Sequence, residues 1–592
     1  MLLVDRLAGG SVEGPGGGIA MRNFIGSALG ALFGILLLVV VAAGVGGLVA
    51  SRDTKIREHS WLLVDLQEEL PEYDPPGGVL SAVTGGDVET LQRVLDNLGK
   101  ARVDERIDGV ILRVSAGGAG GRAKIQEIRG AIARLREADK KVLCWSSSFD
   151  SPTYLLLAAC SEVLAPQSAS IQFTGFSGGG MHVKRSLDKL GIRPNIHKLR
   201  EYKSAAELVT RDDMSPEARE NVEWMLEEMW HMFVDALEHD RGLDERKIES
   251  LMQHAYFTAE EAREGGLVDR ILYWDELEHE LLRDEEHELR SVSQARYARV
   301  APKKLGLTGD KTIAVVHAQG LIFGRENGVS PLWGMTMGHE TIGAELRRAR
   351  LDDDVAAVVF RVDSRGGDAL ASDLISREVD ILRGVKPVVV SMVDVAASGG
   401  YDIAYRGSKI VADPMTVTGS IGSITGKFNL AGLHEKLGLT FDYATRGPMA
   451  LINSELRDFT EEERLRFEDN HTRSFNMWLE DVAERRKMTF EQAELLAYGR
   501  VWSGRQARER GLVDELGDLD RAVALAKELA GIAADEPVTL VHYPKRKSLV
   551  QSVLSGDTAA ATTAARWTIH RALREELATT LEVLRQAPPP TP

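Results

Sequence analysis

The sequence predicts an α/β protein in which one domain is written twice behind a single N-terminal membrane helix. Three observations carry this. Short β-branched runs alternate with amphipathic segments at helical spacing, which implies a mainly parallel sheet with helices packed around it. The pattern recurs at a nearly constant offset. Near the start, Phe24 to Ala50 (FIGSALGALFGILLLVVVAAGVGGLVA) carries no charge, and spanning a bilayer takes about 20 apolar residues.

The apolar stretch comes first in the chain. An uncleaved anchor is favoured over a signal peptide, whose apolar core is usually about 7–15 residues, although the small residues near its end could host a cleavage site. Residues 1–20 look unlike a targeting segment, and Met21-Arg22-Asn23 looks like a natural start. Arg6 and Arg22 precede the stretch while Arg52, Lys55 and Arg57 follow it, so charge leaves the orientation ambiguous.

The repeat follows. Ala101-Arg102-Val103-Asp104 returns as Ala349-Arg350-Leu351-Asp352 (349 − 101 = 248). Val110-Ile111-Leu112-Arg113-Val114 matches Val358-Val359-Phe360-Arg361-Val362 at the same offset. Ala262-Arg263-Glu264 with Gly266-Leu267-Val268-Asp269 matches Ala507-Arg508-Glu509 with Gly511-Leu512-Val513-Asp514 (507 − 262 = 245). The expected organisation is an N-terminal segment over 1–58, copies over 59–300 and 301–540, and a C-terminal stretch over 541–592. In that stretch Trp567, Ile569, Leu573, Leu577, Leu581 and Leu584 fall near helical spacing before a Pro-rich tail.

Within each copy a strand (Gly109–Val114; Ala356–Val362) runs into glycines. An amphipathic helix follows (Ala123–Ala138; Leu370–Arg383), then a second strand (Lys141–Trp145; Pro387–Met392) and more helix.

Composition narrows the function. A net charge of −17 without a long Lys/Arg run argues against nucleic acid as a partner. Cys144 and Cys160 are the two cysteines; they could pair, but they exclude a disulfide framework and a Cys-based structural zinc site. The histidines show no H-E-x-x-H, and no metal or organic cofactor is expected.

Two turns in the second copy could do chemistry. In 387–405 (PVVVSMVDVAASGGYDIAY) a buried strand leads to Ser398-Gly399-Gly400 and then an amphipathic helix. That places Ser398 at a helix N-terminus, where unpaired N–H groups and the dipole favour an oxyanion; taken alone, the pattern also fits a helix N-cap. In 357–368 (AVVFRVDSRGGD) a strand ends in Asp363-Ser364-Arg365-Gly366-Gly367. Such a turn aims N–H groups into a cleft or merely joins strand to helix.

Together with Thr418-Gly419-Ser420-Ile421-Gly422 and the closing Gly499-Arg500-Val501-Trp502-Ser503-Gly504, these turns resemble the signal peptide peptidase A (protease IV) family in its long, duplicated form. The resemblance implies crotonase-like (Clp protease-like) domains and a Ser–Lys dyad. Ser398 then matches the nucleophile, and Lys203, in Arg200-Glu201-Tyr202-Lys203-Ser204-Ala205-Ala206-Glu207, matches the base. It further implies oxyanion donors from Gly399 and from Gly366 or Gly367, and a supporting hydroxyl from Ser420. Arg365 departs from the family, which usually has proline there, so a softer turn is expected.

The repeat arithmetic agrees with that division. At the offset that matches Val163-Leu164-Ala165 with Ile410-Val411-Ala412 (410 − 163 = 247), position 398 − 247 is Ser151, but Pro152 follows it and has no N–H to donate. Position 203 + 247 is Ala450, so the second copy has no amine there. Gly175-Phe176-Ser177-Gly178-Gly179 fits G-x-S-x-G, yet glycines stand where that pattern needs a helix. The glycine run 117–121 is the first copy's version of the oxyanion turn.

A free lysine has a pKa near 10.4, so Lys203 must be desolvated by tertiary structure before it can take a proton. The resulting expectation is a membrane-anchored Ser–Lys endopeptidase of apolar peptides such as cleaved signal peptides. The resemblance implies a homotetramer at a bacterial inner membrane with a periplasmic body. A catalytically silent tethered scaffold, or a crotonase-type acyl-CoA-binding enzyme, is the alternative.

Overall fold

Val358, Val359 and Phe360 are fully buried, as are Val388, Val389 and Val390. Continuous runs of this kind are what a parallel sheet covered on both faces selects. The computed structural model describes residues 56–73, 89–282, 290–330 and 333–545, and from Glu58 onward the chain forms one unit. The membrane stretch, the Met21 start and the helix expected beyond residue 545 lie outside the described residues. Among the described residues no helix is long and apolar enough to cross a membrane.

The first copy forms a parallel sheet in the order Ser291–Ser293, Ser60–Leu66, Ile107–Val114, Lys141–Trp145, Glu162–Ala165, Arg270–Ile271. The second copy repeats that order with Val538–Tyr543, Lys311–Gln319, Val355–Ser364, Val388–Ala397, Lys409–Ala412, Glu515–Leu516. Its outer strand runs past residue 540 to Tyr543. The helices correspond as well: Leu91–Val103 with His339–Leu351, Arg122–Glu137 with Ala369–Arg383, and Pro216–Arg241 with Glu461–Arg486.

Each copy adds a small ridge of two strands, one parallel and one antiparallel. In the second copy Val417–Gly419 pairs with the end of Val388–Ala397 and then with Val501–Ser503. In the first copy Ser170–Phe173 pairs with Ser148–Phe149 and Ala255–Phe257. The long strand of the second copy is continuous through Ala397, whereas its counterpart breaks after Trp145.

Polar bonds lock the copies together. Asp394 of the second copy accepts from the N–H groups of Ala123 (2.9 Å) and Lys124 (3.2 Å), capping a helix of the first. A Cβ at Gly121 would collide with Asp394, so glycine is required there. Fully buried Arg361 donates to Glu72 and Glu127 at 2.7 Å each and to Ser391 at 2.9 Å. A guanidinium withdrawn from water needs paired partners of this kind. The two cysteines are joined as a disulfide between strand Lys141–Trp145 and the turn that follows helix Ser151–Leu157, with Cα atoms 5.9 Å apart.

Candidate active site

Ser398 ends the strand Val388–Ala397, and its backbone turns to φ 58°, ψ −123°. A positive φ on a non-glycine residue stores strain, and such residues cluster at functional turns. The fold holds this one in place: Ser398 N–H donates to Gly419 O (2.9 Å), and the N–H groups of Tyr401 and Asp402 donate to Ser398 O. Its hydroxyl makes no N-cap bond. The helix beyond is one turn, Gly399–Asp402, rather than the longer amphipathic helix expected from the sequence. Ser408 N–H donates to Val388 O (2.7 Å) and draws the chain straight into the strand Lys409–Ala412.

Glycine is obligatory beside the serine. A Cβ at Gly399 would lie 2.5 Å from Ser372 Oγ and 3.1 Å from Gly367 N, and a Cβ at Gly366 would lie 2.5 Å from Gly399 N. The two glycine turns therefore meet edge to edge. Gly366 (φ 91°) donates its N–H to Ser364 Oγ (3.1 Å) and accepts from Ile322 N–H (2.9 Å). The N–H groups of Gly367 and Gly399 make no hydrogen bond among the described residues. Of the two glycines the sequence left as alternatives, Gly366 thus has its N–H occupied and Gly367 has it free. Ser364 Oγ also donates to Gly320 O (2.6 Å), so a hydroxyl pins the turn while Arg365 stands exposed in the place of proline.

Lys203 reaches this turn from the other copy. Strand Arg193–Lys198 pairs antiparallel with Ile424–Asn429, with Lys198 opposite Ile424, and Leu199 N–H donates to Ser423 O (2.8 Å). In an antiparallel ladder, residues just past the pairing on one strand run beside those just before it on the other. Lys203 therefore arrives next to Ser420. Its Nζ lies 2.7 Å from Ser420 O, 3.0 Å from Ser420 Oγ and 2.9 Å from Ser398 Oγ.

Glycines wall the lysine stem. A Cβ at Gly422 would lie 3.2 Å from Lys203 Cδ, and one at Gly499 (φ 78°) 2.6 Å from Lys203 Cα. Tyr202 N–H donates to Tyr498 O (2.9 Å) and fixes the loop from the opposite side. Lys203 is 5% exposed, and burial, its sole resolved cause of shift, lowers its pKa to about 7. Sequence reasoning named Gly422 and Gly499 within the motifs but missed that they wall the lysine, and it missed the ladder joining the copies.

The first copy's matching places are filled differently. Ser151 is fully buried as the first residue of helix Ser151–Leu157, capped by Asp150. Its Oγ accepts from the N–H groups of Thr174 (3.0 Å) and Gly175 (3.2 Å). Thr153 Oγ1 takes up the Gly117 N–H (3.0 Å). Ser177 is exposed in a segment without regular structure, so the G-x-S-x-G match there has neither the strand nor the helix that defines an elbow.

A strained serine beside a buried amine, at the edge of a parallel sheet and facing free backbone N–H groups, is the arrangement of a hydrolase that attacks carbonyls. Residues 134–288 and 381–533 each match the family model described as peptidase family S49, one match in each copy. Serine protease SPPA, chloroplastic, of Arabidopsis thaliana is 34% identical over 79% of this chain and 70% of its own. Protease 4 of Salmonella typhi is 30% identical over 88% of this chain and 87% of its own. Protease 4 of Haemophilus influenzae is 28% identical over 86% and 84%. The chain belongs to peptidase family S49 and is a protease of that family, which bears out the resemblance read from the two glycine turns.

Proposed function

We propose that the chain is a membrane-anchored Ser–Lys endopeptidase acting on apolar peptides such as cleaved signal peptides. The observation that carries this reading is the 2.9 Å approach of Lys203 Nζ to Ser398 Oγ, made by a buried amine. A neutral amine has two hydrogens and one lone pair. Its hydrogens go to Ser420 O and Ser420 Oγ, which leaves the lone pair on the Ser398 hydroxyl. Lys203 then takes the hydroxyl proton as Ser398 Oγ attacks the scissile carbonyl. The N–H groups of Gly367 and Gly399 receive the oxyanion. Collapse of that intermediate expels the amine product, which takes its proton from Lys203. Water attacking through the same base then releases the acyl product.

Anchoring by the apolar stretch 24–50 would hold the cleft near peptides left in a bilayer. The Cys144–Cys160 disulfide fits an oxidising compartment such as the bacterial periplasm. Assembly as a homotetramer belongs to the same proposal. The test is cleavage of an apolar peptide by the full chain in detergent. Ser398→Ala and Lys203→Ala should each abolish turnover, and normal turnover by either variant removes the dyad.

A further inference from the structure

Beside the lysine lies a cavity of about 530 Å³ that the dyad chemistry does not use. One side is helix Pro216–Arg241, contributing Val222, Met225, Leu226 and Met229, with Met214 just before it. The other side is the glycine loop 177–180, the stretch whose G-x-S-x-G pattern has no elbow. Gly178 lets that loop close on the helix, since a Cβ there would lie 2.5 Å from Val222 Cγ1. Ser204 and Ala205, directly after Lys203, also line the cavity, so it opens next to the reaction centre.

Arg122 is the arginine of a lining that also carries Ser177, His182, Ser204, Glu207 and Asn221. Its Nε is buried without a hydrogen-bond partner, and its guanidinium lies 5.7 Å from the centre of the Phe176 ring. Two acidic groups are close: Glu207 lines the cavity and the Asp394 charge acts on Arg122, but neither makes a hydrogen bond to it among the described residues. Glu207 accepts from Ser215 N–H (2.9 Å) and Ser215 Oγ (2.7 Å) and faces Lys198. Asp394 accepts from the Ala123 and Lys124 backbones and lies 3.4 Å from Lys124 Nζ. Arg122 is also the first residue of helix Arg122–Glu137, where a cation opposes the helix dipole. Its position does not serve the helix. Arg122 is half-buried with its Nε unpaired, an unmet donor costs free energy, and a guanidinium fork matches one carboxylate.

We propose that this cavity holds the free α-carboxylate end of an apolar peptide, with Arg122 as its anion partner and the methionine wall receiving the last side chains. Methionine suits varied apolar residues because it is unbranched and polarisable. Every peptide released by an earlier endoproteolytic cut ends in such a carboxylate, so the reaction that supplies this substrate is a prior proteolysis. The inference rests on the peptidase reading for its choice of ligand, and its test is separable from that reading.

Binding is measured on the full-length Ser398→Ala chain by fluorescence anisotropy. The probes are one labelled apolar peptide made as the free acid and as the C-terminal amide, with dodecanoate as competitor. The acid should bind about tenfold more tightly than the amide, as expected for one charge-assisted pair. Arg122→Met should erase that difference, and Arg122→Lys should keep part of it. Equal affinities for acid and amide, which require no change at Arg122 to measure, overturn the proposal, as does a preference that survives Arg122→Met. Arg122-dependent binding of dodecanoate with no acid–amide difference assigns the cavity to lipid carboxylates and also overturns it. Turnover by the wild-type chain separately tests the peptidase reading.

Discussion

Ser151 and Ser398 stand at matching places in two copies of one domain, each following the fourth strand of the shared sheet order. Ser398 is bent to φ 58° and is followed by two glycines whose Cβ atoms would have no room. Ser151 opens an ordinary helix, is followed by Pro152, and has its oxygen occupied by two backbone N–H groups. The fold alone therefore does not make a serine a nucleophile. What differs is whether the backbone around it is left unsatisfied. The second copy keeps two N–H groups open, and the first closes the equivalent turn with Thr153. The first copy contributes instead a lysine that its own sheet has no use for.

The strongest way to break this comparison is to mix variants. Both halves of the proposed dyad meet within one chain, so Ser398→Ala and Lys203→Ala should each lose at least about a thousandfold in kcat/KM. Co-purified mixtures of the two should stay equally inactive. Recovered turnover in the mixture would place the working dyad across subunits and end the intrachain account.

A smaller effect tests how the copies are joined. Gly499→Ala puts a Cβ against the Lys203 backbone and forces a left-handed φ on alanine. Displacement of the amine by even an ångström should cost about a hundredfold in kcat, with KM little changed. Wild-type kcat in this variant would show that the lysine loop is held by the Arg193–Lys198 ladder alone.

The mainly parallel sheet was legible in the sequence because doubly buried strands such as Ala356–Val362 are apolar apart from Arg361. Ser398 and the glycine turns were legible through the family resemblance the turns carry together, because each taken alone also fits a helix N-cap or an ordinary strand-to-helix turn. Lys203 was not legible on physical grounds. Its flanks Arg200, Glu201 and Glu207 are polar, and its desolvation comes from Gly422 and Gly499, more than two hundred residues away in the chain. The ladder that delivers it joins RPNIHK to ITGKFN, and neither segment alternates in a way that announces a strand. The role of Ser364 in pinning the glycine turn was also hidden, because it depends on the carbonyl of Gly320.

The pH dependence sharpens the same point. With the Lys203 pKa near 7, kcat/KM should rise with pH through about 7 and fall about tenfold per unit below it. The sign for stability follows from linkage. Between about 7 and the ordinary lysine value of 10.5 the unfolded chain binds the proton and the folded chain does not, so stability rises with pH across that window. Lys203→Met should remove this slope, and its gain in Tm should be larger at pH 6 than at pH 10. A gain independent of pH would mean that the amine is not buried as a neutral group.

The smallest effect belongs to Ser151. Replacing it with alanine removes an acceptor from two backbone N–H groups and leaves the dyad untouched. The unpaired Thr174 N–H belongs to an exposed residue and Gly175 is half-buried, so water can satisfy part of the loss. The cost should be about 1–2 kcal/mol of stability, read as a lower midpoint of denaturant unfolding, with kcat/KM within about twofold of wild type. A large loss of turnover in Ser151→Ala, with folding intact, would make the first copy's serine part of the reaction after all, and the division of labour between the copies would have to be redrawn around two serines sharing one lysine.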